Sequence, residues 1–76
     1  MKTTYVFIDP ATNELIYKEG YNEYFARYSN PPISAHCKLY QTILESNDYI
    51  RTITYNTRGG WQEILHIEHI TKGSNT

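Results

Sequence analysis

The sequence predicts an α+β fold in two layers, with element order ββααββ: a four-stranded antiparallel sheet with one main helix packed on one face. Three observations carry this expectation. Both ends of the chain hold short runs rich in β-branched and aromatic residues, separated by turn-forming residues, which is how hairpins are written in sequence. Between them, residues 30–46 place Ile33, Cys37, Tyr40 and Leu44 at helical spacing, widened by Leu39 and Ile43, while Ser34, Lys38, Gln41, Thr42 and Glu45 fill the opposite side. Just upstream, Tyr21, Tyr24, Phe25 and Tyr28 recur at i, i+3, i+4 and i+7, the mark of a short helix with an aromatic stripe.

In chain order, residues 4–8 form the first expected strand. Asp9-Pro10 opens a turn, because Pro fixes φ and the Asp carboxylate can accept from amides ahead of it. Asn13 suits a left-handed conformation, and residues 14–18 alternate as a second strand. A loop over residues 9–13 would set Ile8 opposite Glu14, Phe7 beside Leu15 and Tyr5 beside Tyr17, with Val6 and Ile16 meeting on the other face. Gly20 marks the exit into the aromatic helix, residues 21–28. Pro31-Pro32 ends it, since the residue before a proline avoids the helical region, and the same prolines suit the first turn of the main helix with Asn30 as its cap.

His36 falls inside the apolar arc of that helix, beside Tyr40 and Ile43. The helix fades at Ser46-Asn47-Asp48. Residues 49–56 then read as a strand, residues 57–60 as a turn and residues 61–71 as a closing strand. With Gly59-Gly60 as the loop, Arg51 faces Glu68, Ile53 faces His66 and Tyr55 faces Ile64; a loop one residue longer pairs Ile53 with Leu65 and Arg51 with Ile67. The first register makes a cross-strand ion pair and is preferred. Residues 1–71 are thus expected to be a single α+β domain, and residues 72–76 a flexible C-terminal tail.

A chain of 76 residues has little core to build: near this size, folding buries only about 60% of the unfolded surface. Its filling is aromatic, with eight Tyr, two Phe and one Trp, residues that serve a core and a binding surface equally well. Seven Lys and Arg against eight Asp and Glu leave no like-charge run to attract nucleic acid or an anionic membrane. The lone Cys37 cannot make an internal disulfide, and residues 1–10 hold too short an apolar run for a signal peptide. A cytoplasmic protein is the expectation.

Candidate chemistry is sparse. His66 and His69 make an H-x-x-H pair, but on a strand the two imidazoles point to opposite faces, so no metal site is expected. Cys37 beside His36 invites a nucleophile–base reading; helix neighbours diverge by about 100°, and a Cys on the core side behaves as a small inert hydrophobe. Arg58-Gly59-Gly60-Trp61 has the glycines of an anion cradle but leads into a strand instead of a helix N-terminus, so a hairpin turn is the plainer reading. The acidic residues lie at turns and on alternating positions, with no enclosed pair for general acid–base work. No catalytic residue, cofactor or metal is called, and an enzyme is not expected.

Function is therefore sought on surfaces. Both sheet faces carry apolar residues and one helix can cover only one, so a protein target, a second copy of the chain, or both should cover the other. The expected partner-binding residues are Tyr21, Tyr24, Tyr28, Tyr55, Arg58, Trp61, Ile64 and His66: Arg and Trp are hot-spot types, the tyrosines exceed what a small core needs, and Ile64 and His66 lie on the closing strand. Phe25 and Cys37 are assigned to the core. The resulting expectation is a small protein-interaction module, a binder or inhibitor of a larger protein, such as a phage or mobile-element accessory protein acting on a host enzyme or defence complex. Two alternatives are kept: a nucleic-acid binder stacking bases on sheet aromatics, disfavoured by the charge balance, and a homodimer that sequesters a nucleotide or signalling ligand.

Overall fold

The computed structural model describes residues 1–20, 22–28, 33–34, 36–56 and 62–72. They form β1 (Lys2–Ile8), β2 (Leu15–Glu19), α1 (Glu23–Arg27), β3 (Lys38–Glu45), β4 (Tyr49–Asn56) and β5 (Glu63–Thr71). The five strands make one antiparallel sheet in the order β2-β1-β3-β4-β5. The four-stranded ββααββ arrangement is thus overturned at its centre. Residues 38–45, expected in the main helix, are the middle strand, and the short α1 is the helix that packs on the sheet.

The misleading periodicity has a physical source. Between Val6 and Phe7 the β1–β3 register jumps from Gln41 to Leu39, leaving Tyr40 as a bulge residue. A bulge sets two residues against one and shifts the alternation of the strand by one position. Leu39, Thr42 and Leu44 therefore lie opposite Phe7, Tyr5 and Thr3 on one face of the sheet. The three-residue step from Leu39 to Thr42 imitates a helical turn. What decides the matter is hydrogen bonding, because β3 pairs along both edges, with β1 and with β4.

The first hairpin is also one residue out of the expected register: Ile8 pairs with Leu15, Phe7 with Ile16, Val6 with Tyr17 and Tyr5 with Lys18. Its loop is longer than expected by Glu14. The Asp9 amide donates to the Glu14 carbonyl at 3.0 Å, the Asn13 amide to the Asp9 carbonyl at 2.7 Å, and the Ala11 amide to Asp9 Oδ1 at 2.9 Å. Asn13 takes the left-handed conformation, φ 61°, which its short polar side chain tolerates. The Ser46–Asp48 stretch is not a helix end but the β3–β4 turn, where Ser46 Oγ accepts from the Asp48 and Tyr49 amides at 3.2 Å each.

β4 has its expected limits, and Tyr55 pairs with Ile64 as expected. A second bulge, which skips Leu65, then changes the rest of the ladder: Ile53 faces Ile67 and Arg51 faces His69, so the expected Arg51–Glu68 pair is not formed. Lys72, expected to open the tail, is anchored. Its amide donates to the Asp48 carbonyl at 2.7 Å and its ammonium meets Glu45 Oε2 at 3.0 Å.

The core is small and lies at one end of one face. Phe7, Ala26, Cys37 and Leu39 are buried together, with Tyr5, Ile16, Ile33 and Tyr55 packed against them. On the opposite face Val6 is fully buried. The radius of gyration, 13.5 Å, exceeds the roughly 11 Å usual for a compact chain of this length, and the thinnest extent is 19 Å. This slab exposes more surface than a ball would.

Two measurements follow from this packing. Phe7→Ala empties the centre of the cluster and should cost about 3–5 kcal/mol, a large share of the stability of a small domain, read as a collapse of the urea midpoint. Lys72, through its hydrogen bond and then its charge, holds the Glu45 carboxyl below the usual carboxylate range. A lowered folded-state pKa means the stabilisation is present at neutral pH and is lost as pH falls through that pKa. Lys72→Met should move the Glu45 titration, followed by NMR, back up toward the ordinary value.

Candidate interaction surface

Helix α1 is short, and its placement depends on two local devices. Asn22, in an extended conformation (φ −161°), caps it by accepting the Phe25 amide on Oδ1 at 3.0 Å. Gly20 lets the chain fold back closely: a Cβ there would stand 3.2 Å from the Ala26 nitrogen. Ala26 is consequently pressed into the cluster with Phe7 and is fully buried. Arg27 lies alongside with its guanidinium carbon 5.2 Å from the Phe7 ring centroid, a cation–π distance.

Because the smallest residue takes the sheet side, the large ones are turned out. Tyr24 is 64%, Phe25 51% and Tyr28 73% exposed. They form one cluster, Tyr24 lying 4.7 Å from Tyr28 between ring centroids and 5.6 Å from Phe25 in an edge-to-face arrangement. Phe25 is therefore not the core residue it was expected to be. Successive helix residues diverge by about 100°, and with Ala26 facing the sheet its neighbour is carried outward. Tyr21, the expected start of the stripe, lies outside the described residues, as do Arg58 and Trp61.

A second surface is β5, every residue of which is exposed. Ile64, Leu65, Ile67 and Ile70 stand out there as large apolar side chains in contact with solvent. His66 lies opposite Thr54, and His69 opposite Arg51 with its ring 4.9 Å from that of Tyr49. The two histidines are on opposite faces. Tyr55 belongs elsewhere: it is half-buried against the core, with its hydroxyl 3.2 Å from Thr42 Oγ1. Of the expected contact residues, Tyr24 and Tyr28 share one patch, Ile64 and His66 lie on β5 but on opposite sheet faces because they pair with Tyr55 and Thr54, and Tyr55 packs on the core. Sequence reasoning missed Phe25, Leu65, Ile67 and Ile70. Ala26 within an aromatic run was the signal that could have turned Phe25 outward.

Cys37 is buried, and burial first, then the Asp9 carboxylate, pushes its thiol up, with Arg27 opposing. His36 is exposed, not packed under the sheet, and its Nε2 lies 2.8 Å from Ser34 Oγ. Among the described residues no three His, Cys, Asp or Glu side chains are grouped to hold a metal ion. No helix among them is long and apolar enough to cross a membrane.

Comparisons of the chain with protein-family models, with characterised proteins and with solved structures gave no match in any of the three. Since only a thiolate reacts readily, Cys37 should label markedly more slowly with a disulfide reagent in the native chain than in urea, and a native rate equal to the unfolded one would contradict its burial.

Proposed function

We propose that this chain is a protein-interaction module that binds a larger protein through the exposed aromatic face of α1. The observation that carries the reading is the outward cluster of Tyr24, Phe25 and Tyr28, in which the Tyr24 ring meets both of the others, on a helix whose sheet side is filled by Ala26. Exposed aromatics in contact offer a large, rigid and partly polar area at little entropic cost. That is the composition of interface hot spots. The partner this chemistry fits is a protein with an apolar cleft rimmed by acceptors for the two tyrosine hydroxyls. Occupying such a cleft would make the chain a binder or an inhibitor, in the cytoplasm, of the kind a phage or mobile element directs at a host protein.

The nucleic-acid alternative draws less support. Net charge is −1, and Tyr55 is committed to Thr42 and the core instead of standing free to stack on a base. A gel shift at low salt tests it directly.

For the leading reading, the tagged chain and Tyr24→Ala/Tyr28→Ala should be compared in affinity purification, followed by reconstitution with the purified partner. The double variant should keep the wild-type circular dichroism, because both rings are solvent-facing, and should lose the partner with at least a tenfold fall in affinity, the equivalent of about 1.4 kcal/mol. Equal retention by both proteins would refute the assignment.

A further inference from the structure

We infer that β5 is a self-association edge through which two copies of this chain pair antiparallel about a two-fold axis, with Ile67 facing its own counterpart and His66 facing Glu68 of the second copy. The inference is independent of the aromatic face of α1 and uses a different side of the molecule.

β5 ends the sheet, and among the described residues no strand lies along its outer edge. An open edge presents a row of backbone donors and acceptors, and proteins usually blunt one by making it short or lysine-rich. The opposite edge, β2, has five residues and includes a lysine; β5 has nine, no lysine, and four exposed large apolar side chains. Besides Glu63 and Glu68 it carries the bulge at Leu65, and beyond that bulge residues 66–71 pair with β4 without interruption.

Symmetry limits how two such edges can meet. A two-fold axis perpendicular to the sheet keeps equivalent faces on the same side, so the axis must pass beside one residue that faces itself. Centred on Glu68, the pairing sets carboxylate against carboxylate, which is destabilising. Centred on His66, it places Glu68 beyond the bulge, opposite Ile64 or Leu65. Centred on His69, it sets His66 against Lys72, two cation-forming side chains.

Only the register centred on Ile67 is complementary among these. It joins isoleucine to isoleucine on one face, and on the other it makes two equivalent His66–Glu68 pairs. An imidazole N–H can donate to the carboxylate in either ionisation state, and the bond is charge-assisted when the ring is protonated. His66 and Glu68 already share a sheet face, since they lie opposite Thr54 and Thr52. The bulge falls outside these three central pairs and brings Ile64 and Leu65 together opposite His69 of the second copy.

The test is light scattering on the full chain over a dilution series reaching on the order of 100 μM, where even small interfaces are populated. The expected result is a mass that doubles at high concentration for the wild type and stays at one copy for H66E and for E68K, with dimer restored in H66E/E68K. Tyr24→Ala/Tyr28→Ala should dimerise as the wild type does. A wild type that remains monomeric, or a dimer indifferent to both single substitutions, overturns the inference. Hydrogen exchange on the wild type supplies a check that needs no variant: outward β5 amides should gain protection with concentration, and unchanged exchange across the dilution series also overturns it.

Discussion

The whole sheet depends on β3 being hydrogen-bonded along both of its edges. The N-terminal hairpin of β1 and β2 and the C-terminal meander of β4 and β5 are joined through it: β1 pairs with one side of β3 and β4 with the other. The chain reaches this arrangement by passing from β2 through α1 to the far side of β1, which brings Ala26 and Cys37 onto Phe7 and Leu39. Side chains confirm the seam on both faces. Thr42 and Tyr55 are linked on the core face, and Gln41 donates to Thr54 on the other at 3.1 Å. Without β3 there would be two small hairpin systems, each short of the buried area that independent stability requires.

This construction leaves little interior. A single sheet with a helix of one and a half turns at one corner can bury a compact cluster around Phe7, but it cannot shelter both faces of five strands. The elongated shape and the exposed apolar residues on α1 and β5 are two views of the same shortage. Contiguous apolar surface on a small protein carries a solvation cost unless something covers it, so these surfaces are where a functional role is expected. The two differ in character. The α1 cluster offers ring faces and hydroxyls suited to a cleft, whereas the β5 edge offers backbone hydrogen bonds suited to another strand.

Among the described residues, the reactive side-chain types are dispersed. Cys37, the strongest nucleophile by residue type, is buried within the cluster, which pushes its thiol pKa up, and the histidines are divided between an exposed turn and opposite faces of β5. The polar groups that are well placed serve structure: Asp9 closes the first loop, Asn22 caps α1, Ser46 closes the β3–β4 turn, and Glu45 anchors Lys72.

Local chemistry made much of this legible in the sequence. The strands near residues 4–8, 14–18, 49–56 and 61–71, the aromatic helix, the left-handed Asn13 and the buried Cys37 all follow from side-chain type and short-range spacing. The strand identity of residues 38–45 did not, because over eight residues a bulged strand and an amphipathic helix share nearly the same apolar pattern. The open edges of β1 and β4 resolve that tie, and they exist only once the chain has folded. Tertiary structure likewise decided the outward turn of Phe25, set by the fit of Ala26 against Phe7, and the register of β5, set by a bulge that no turn residue announces. Outside residues 30–46, the sequence by itself determined which segments extend and which coil. Which faces they present depended on contacts between residues distant along the chain.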